Sequence, residues 1–121
     1  MSRTTTRQDK RLSGRQGEDA ALAYLERCGL RFLQRNYRCR LGEIDLIMQE
    51  SNVLVFVEVR KRRPGTYGSA AESITRGKQQ KLVRTALHFL QNVNRECPCR
   101  FDVVALDGDR VSWLKNVIET A

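Results

Sequence analysis

An α/β domain, built on a mixed sheet of four to five strands flanked by helices, is the fold class this 121-residue sequence predicts. Three observations carry it. Apolar residues recur at helical spacing in residues 14–28 and again in 75–93. Between them, residues 41–60 alternate as a strand pair does, and a β-branched run at 100–106 follows the second helical stretch. The length suits one hydrophobic core, so residues 14–121 form a single domain behind a tail, 1–13, read as disordered and basic.

Taken in order, the first helix shows Ala21, Leu22, Leu25 and Cys28 on one face, and Gly29 is suited to its C-terminal cap. Glu18 lies three and four residues before Ala21 and Leu22, at the edge of that face, whereas Asp19 points away. Two readings of Glu18 stay open: it favours the positive helix N-terminus, or it is an acid aimed at whatever the helix covers. Leu30 to Arg40 reads as an outer strand, with Arg31, Arg35, Arg38 and Arg40 along it and Tyr37 among them. Such a row of arginines suits either a solvated edge or phosphate contact.

The organising stretch is the hairpin that follows. Leu41–Met48 and Val53–Arg60 flank a turn-prone Glu50-Ser51-Asn52. Alternation puts Ile44, Leu46 and Met48 on one apolar face with Val53, Val55, Val57 and Val59, while Glu43, Asp45 and Ile47 share the other with Leu54, Phe56, Glu58 and Arg60. With Ser51 and Asn52 as a two-residue loop, Glu50 pairs with Val53 and Asp45 falls opposite Glu58; a register shifted by two residues makes the acids diagonal neighbours, still within reach of a shared ion. Two carboxylates on a half-buried sheet repel each other and resist burial; a divalent cation between them would resolve the conflict.

Lys61 to Ser69 is a loop on its proline and glycine content, leaving the hairpin beside Glu58 with three consecutive bases. Leu82, Val83, Ala86, Phe89, Leu90 and Val93 form the stripe of the second helix, which Gln79 continues toward its start. His88, the sole histidine, is a surface or interface residue on this pattern. Arg100 to Leu106 is a strand, Asp107-Gly108-Asp109 turns into a short last strand through Trp113, and the tail to Ala121 is read as a helical turn.

Charge is segregated along the chain. The net of +8 breaks into +6 over residues 1–40, −4 over 41–58, +8 over 59–100 and −2 over 101–121. An acidic hairpin bracketed by basic segments is what a metal site within a phosphate-binding surface requires, and the overall basicity points to a polyanionic partner. No run approaches the ~20 apolar residues of a membrane span and the start has no signal-peptide core, so a cytoplasmic protein with no membrane partner is expected. Cys28, Cys39, Cys97 and Cys99 are then reduced. Cys97-Pro98-Cys99 lacks the spacing of a zinc knuckle.

Cutting a phosphodiester calls for an activated water, relief of phosphate charge and stabilisation of the leaving oxygen, tasks for which Mg²⁺ or Mn²⁺ held by carboxylates is suited. The residue pattern is an Asp on one strand and Glu-x-Lys on the next. Here Asp45 and Glu58-Val59-Arg60 supply it, with Glu18 on an adjoining helix, and the chain thereby resembles the PD-(D/E)XK nuclease superfamily. More closely, the blocks Gly17–Ala21, Gly42–Ile47, Val55–Val59, Lys78–Leu82 and Arg100–Val104 resemble the small bacterial YraN-type family of candidate endonucleases, related to archaeal Holliday-junction resolvases.

The resemblance implies a restriction-endonuclease-like three-layer fold and a metal-dependent endonuclease acting on DNA ahead of RNA, with branched or structured substrates and a homodimeric assembly. It implies a metal held by Asp45, Glu58 and the Val59 carbonyl, with Glu18 assisting. Glu18, Asp45, Glu58, Arg60 and Gln79 are thus the candidate catalytic residues. Lys61, Arg62, Arg63 and Tyr67 of the basic loop, with Lys78 and Lys81 of the second helix, are the candidate nucleic-acid contacts. One departure matters: the superfamily's lysine is Arg60 here, and a guanidinium stays protonated, so it binds phosphate but cannot act as a base. The alternative is therefore a nucleic-acid-binding protein that keeps the nuclease fold without turnover; a purely structural module leaves the two acids unexplained.

Overall fold

The computed structural model describes residues 7–61, 74–93 and 96–118. Helix α1 (Arg7–Arg27) leads into strands β1 (Arg31–Cys39), β2 (Gly42–Glu50) and β3 (Val53–Lys61), then helix α2 (Arg76–Asn92) and strands β4 (Cys99–Asp107) and β5 (Arg110–Leu114). The strands form one sheet in the order β1-β2-β3-β4-β5. Only β3 and β4 run parallel; the other neighbours are antiparallel. Consecutive antiparallel strands need only tight turns, whereas the parallel pair needs a long crossover, and α2 lies within it.

Each helix covers one face. Ala21 and Leu25 of α1 pack with Leu46, Met48, Val55, Val57, Val104 and Leu106. Leu82, Ala86 and Phe89 of α2 pack with Ile44, Ile47, Leu54, Phe56 and Phe101. The result is a helix–sheet–helix sandwich, the three-layer α/β arrangement expected, with β3 buried on both sides. Edge strand β1 is the more exposed, and Phe32 remains partly open to solvent.

α1 starts at Arg7, inside the segment read as a disordered tail. Arg7 to Leu12 are mostly good helix formers without an apolar stripe, so hydrophobic periodicity could not reveal them. The helix ends as expected at Gly29, whose φ of +98° suits glycine, with the Leu30 N–H returning to the Leu25 carbonyl at 3.1 Å. Beyond β5, Lys115 to Ile118 do not form the expected helical turn; Asn116 takes a φ of +55° and its N–H is held by Asp102.

The expected hairpin register is observed, from Glu50↔Val53 through Leu46↔Val57. Its faces need one correction. Ile44 lies in the α2 layer although Leu46 lies in the α1 layer, so strict alternation fails between them. β1 switches at the same level: Arg35, paired with Leu46, reaches α1, while Tyr37, paired with Ile44, packs edge-on against Phe89 of α2. Asn36 and Asp45 sit between those pairs, and Asn36 has a φ of +54°, a conformation asparagine tolerates better than most residues. The switch therefore lies in the backbone, where an alternating pattern cannot register it.

On β4, beside Val57 of β3, Asp102 is almost wholly buried and fully engaged. It accepts from Arg100 Nε on both oxygens (3.1 Å each), from Trp113 Nε1 (2.9 Å) and from the Asn116 N–H (2.9 Å), while Arg100 Nη1 also reaches Glu50 at 2.7 Å. This cluster ties β2, β4, β5 and the segment beyond β5 together. Asp102→Ala should strand buried donors and lower unfolding stability by ~3–5 kcal/mol in urea titrations. A loss well below ~1 kcal/mol, the scale of an exposed pair, would mean that the cluster ties nothing.

Candidate active site

Asp45 sits where β2 changes faces, and its carboxylate turns toward β3. Oδ2 accepts the Val59 N–H at 2.8 Å. Backbone pairing of the two strands is described up to Leu46↔Val57, so the side chain makes the next link in place of a main-chain carbonyl. This bond draws Asp45 to the level of Glu58. Glu58 is buried, with 7% of its surface exposed, and its neighbours on β4 are apolar. Burial first, and the Glu58 charge second, push the Asp45 pKa up to about 7; the Val59 N–H opposes them, and Glu18 and Glu43 add smaller upward pushes.

Glu18 reaches the site because α1 closes tightly on the carboxyl ends of β3 and β4. A Cβ at Gly17 would stand 3.0 Å from Leu106 Cδ1 and 3.2 Å from Lys61 Cε, so a larger residue would press on both side chains. Arg35, read from sequence as an outer-strand arginine, fixes this helix instead. Its Nε donates to Glu18 Oε1 at 3.2 Å, Nη1 pairs with Asp19, and Nη2 donates to the Arg15 carbonyl at 3.0 Å. Burial of Arg35 works against its charge, but the two carboxylates outweigh that and hold its pKa above the ordinary value. No local pattern marks this residue, since its partners are sixteen to twenty positions away.

Cations face the acids from the other side. Arg60 Nε lies 3.9 Å from Glu58 Oε1, and Lys78 Nζ, projecting from the first turn of α2, lies closer at 3.3 Å. Lys61 is exposed and lines a cavity of about 480 Å³ with Gln16, Gly17, Ala20, Leu106, Gly108, Asp109 and Val111. That cavity flanks the acids rather than containing them. It opens at the carboxyl ends of two parallel strands, where α/β sheets commonly take ligands.

The remaining candidates divide. The Gln79 side chain donates to the Ile74 carbonyl at 3.2 Å, so it braces the start of α2. Lys81 is exposed on α2, its carbonyl accepting the Thr85 hydroxyl at 2.7 Å. Arg62, Arg63 and Tyr67 lie outside the described residues. His88 hydrogen-bonds through Nδ1 to the Tyr37 hydroxyl, an interlayer contact rather than a solitary surface position. Cys99 Sγ points to the Cys97 carbonyl at 3.3 Å, and the cysteines described are free.

Among the described residues, no three His, Cys, Asp or Glu side chains converge closely enough to enclose a metal ion. Asp45 and Glu58 offer something more open: two oxygen donors under mutual repulsion at the edge of the core. Their chemistry fits a hard ion of the Mg²⁺ type, which binds one or two carboxylates and keeps most of its waters; it does not fit a closed zinc cage.

Asp45 itself is only half-buried. The pKa of Asp45 is higher folded, at about 7, than its ordinary 3.8. The folded chain therefore holds this proton more tightly; folding suffers no penalty below the ordinary value, and the penalty grows as pH rises toward 7. Asp45→Asn keeps an oxygen for the Val59 N–H and removes the charge. In chelator it should stabilise the protein by up to ~4 kcal/mol at about pH 8 and hardly at all at about pH 4. Equal effects at both pH values, read from denaturant midpoints, would contradict the coupling.

Comparison with known proteins places the sequence among relatives of the same size. A relative from Janthinobacterium sp. (strain Marseille) is 52% identical over 91% of this chain and 89% of its own length. One from Cupriavidus metallidurans is 53% identical over 96% and 84%, and one from Nitrosomonas europaea 47% identical over 88% and 96%. Each is named only as a UPF0102 protein. No helix among the described residues is long and apolar enough to cross a membrane. Residues 17–106, from the glycine that seats α1 to the end of the β4 core, match the model of the uncharacterised protein family UPF0102, and the chain belongs to that family.

Proposed function

We propose that this protein is a divalent-metal-dependent endonuclease that hydrolyses phosphodiester bonds in DNA, with branched or flapped structures as its preferred substrates. The observation that carries the reading is the pairing of Asp45 with buried Glu58 beside cations from two different elements. A sheet that only needed stability would fill those positions with apolar side chains. UPF0102 membership adds no activity by name; the reading rests on the residues.

Asp45, Glu58 and the Val59 carbonyl would hold Mg²⁺ or Mn²⁺, with Glu18 beside them. When bound, such an ion polarises the phosphate and lowers the pKa of water. The chain's own residues do the rest. Glu18, restrained by Arg35, orients the attacking water. Arg60 binds a phosphate oxygen, and Lys61 guides the strand along the carboxyl ends of the sheet. The water oxygen forms a bond to phosphorus as the bond from phosphorus to the leaving oxygen breaks. The water's proton passes to solvent, and the leaving oxygen takes one from solvent.

A second reading has support of its own. Arg60 at the usual lysine position, and the two cations already paired with Glu58, suit a DNA-binding protein that retains the fold without turnover. Asp45→Asn separates the two. Under the nuclease reading it abolishes Mn²⁺-dependent cleavage of a labelled junction, flap and duplex panel while DNA affinity stays equal or rises, because a negative charge near phosphate is gone. Wild-type protein that binds the whole panel and cuts none of it would establish the binder instead.

Either reading requires a polyanion. With about six phosphates neutralised, log K for duplex DNA should fall with log salt at a slope of about −5. Affinity that ignores salt, or no affinity at low salt, would reject nucleic acid as the partner.

A further inference from the structure

We infer that Lys78 supplies the ammonium that a Glu-x-Lys pattern would place two residues after the glutamate, leaving Arg60 to bind phosphate. This rests on the nuclease reading and identifies a further catalytic residue for it. Of the two cations paired with Glu58, Lys78 is the nearer: its Nζ lies 3.3 Å from Oε1, against 3.9 Å for Arg60 Nε. The Lys78 side chain is 43% exposed while that of Glu58 is 9% exposed, so the ammonium spans from a buried carboxylate to the surface at which a phosphate arrives. An ammonium has three donors, more than one carboxylate oxygen takes up. It can therefore hold Glu58 and still reach a phosphate oxygen or the attacking water.

The position of Lys78 in its helix supports this. Thr75 is the N-cap, its hydroxyl accepting the Lys78 N–H at 3.2 Å, and the first turn of α2 contains no acid. A cation there opposes the helix dipole, a cost that an ordinary surface helix avoids by placing Asp or Glu in the first turn. Glu58 offsets the cost from β3. Gln79 braces the same turn against Ile74, which fixes the level at which Lys78 emerges. The helix start is thereby built to hold one amine at the acids, across the 62–73 segment in sequence. A compact ammonium also meets a phosphate oxygen as a point charge, whereas the planar fork of Arg60 suits two-point binding.

The test uses full-length Lys78→Gln, Lys78→Arg and the double variant Lys78→Gln/Arg60→Lys, with single-turnover cleavage at saturating DNA and calorimetry of Mn²⁺ in the absence of DNA. Lys78→Gln should slow cleavage ~10²-fold at saturating DNA, the scale of one lost transition-state donor, where any weakening of DNA binding no longer limits the rate. Restoring lysine at position 60 in the double variant should recover most of that loss, which a merely structural role for Lys78 would not permit. Lys78→Arg should fall between. Mn²⁺ should bind Lys78→Gln about fivefold more tightly, because a competing unit charge has left Glu58. If wild type cuts and Lys78→Gln cuts equally well, or loses rate and Mn²⁺ affinity together, the role of Lys78 is overturned and the nuclease reading stands. If wild type cuts nothing, the nuclease reading fails and takes the role of Lys78 with it.

Discussion

One hydrogen bond conditions the site: the Val59 N–H to the Asp45 carboxylate, 2.8 Å long. Sheet hydrogen bonds ordinarily join main chains. Here a side chain takes the acceptor's place, so an acid that would otherwise turn to solvent is drawn toward β3 at the level of Glu58. The bond favours the ionised form of Asp45, yet burial and the Glu58 charge together prevail and raise its pKa to about 7. The sheet thus holds together two groups whose charges oppose it. That tension is tolerable only because the three-layer core is otherwise closely packed and apolar around β3.

The surrounding elements each relieve or direct it. Asp45 lies at the switch between Ile44 and Leu46, which face opposite helical layers. Gly17 lets α1 approach closely enough to bring Glu18 alongside, and Arg35 anchors that helix to β1. The first turn of α2 delivers Lys78 to Glu58. Asp102, paired with Val57 one residue before Glu58, ties β4 to β5 and to the segment beyond it. Two acids and two cations meet near the end of β3, with Glu18 of α1 exerting a weaker charge on them.

Much of this was legible in the sequence, because the strands and helices are specified by local apolar spacing. The two-residue turn at Ser51-Asn52 set the hairpin register as far as Leu46↔Val57, and the Val59 N–H bond carries Asp45 on to the level of Glu58. What escaped depends on distance or backbone. The misassigned face of Ile44 reflects a break in alternation within β2, level with the φ of +54° at Asn36 in β1, and an alternating pattern cannot register it. Arg35 looked like one arginine among four until its partners on α1 were known. Lys78 reads from sequence as a candidate nucleic-acid contact, since nothing within ten positions reveals that Glu58 faces it. Asp102 sat inside a motif whose physical purpose, four hydrogen bonds to buried or bridging donors, needs the fold to be seen.

That the conflict between Asp45 and Glu58 is resolved by a bound cation is most directly examined without any nucleic acid. Calorimetric titration of the wild-type chain with Mn²⁺ near neutral pH should give saturable binding at a single site, and both Asp45→Asn and Glu58→Gln should abolish it while the proteins remain folded. Binding that survives both substitutions, or no saturable binding by the wild type, would contradict a metal site at this pair of carboxylates.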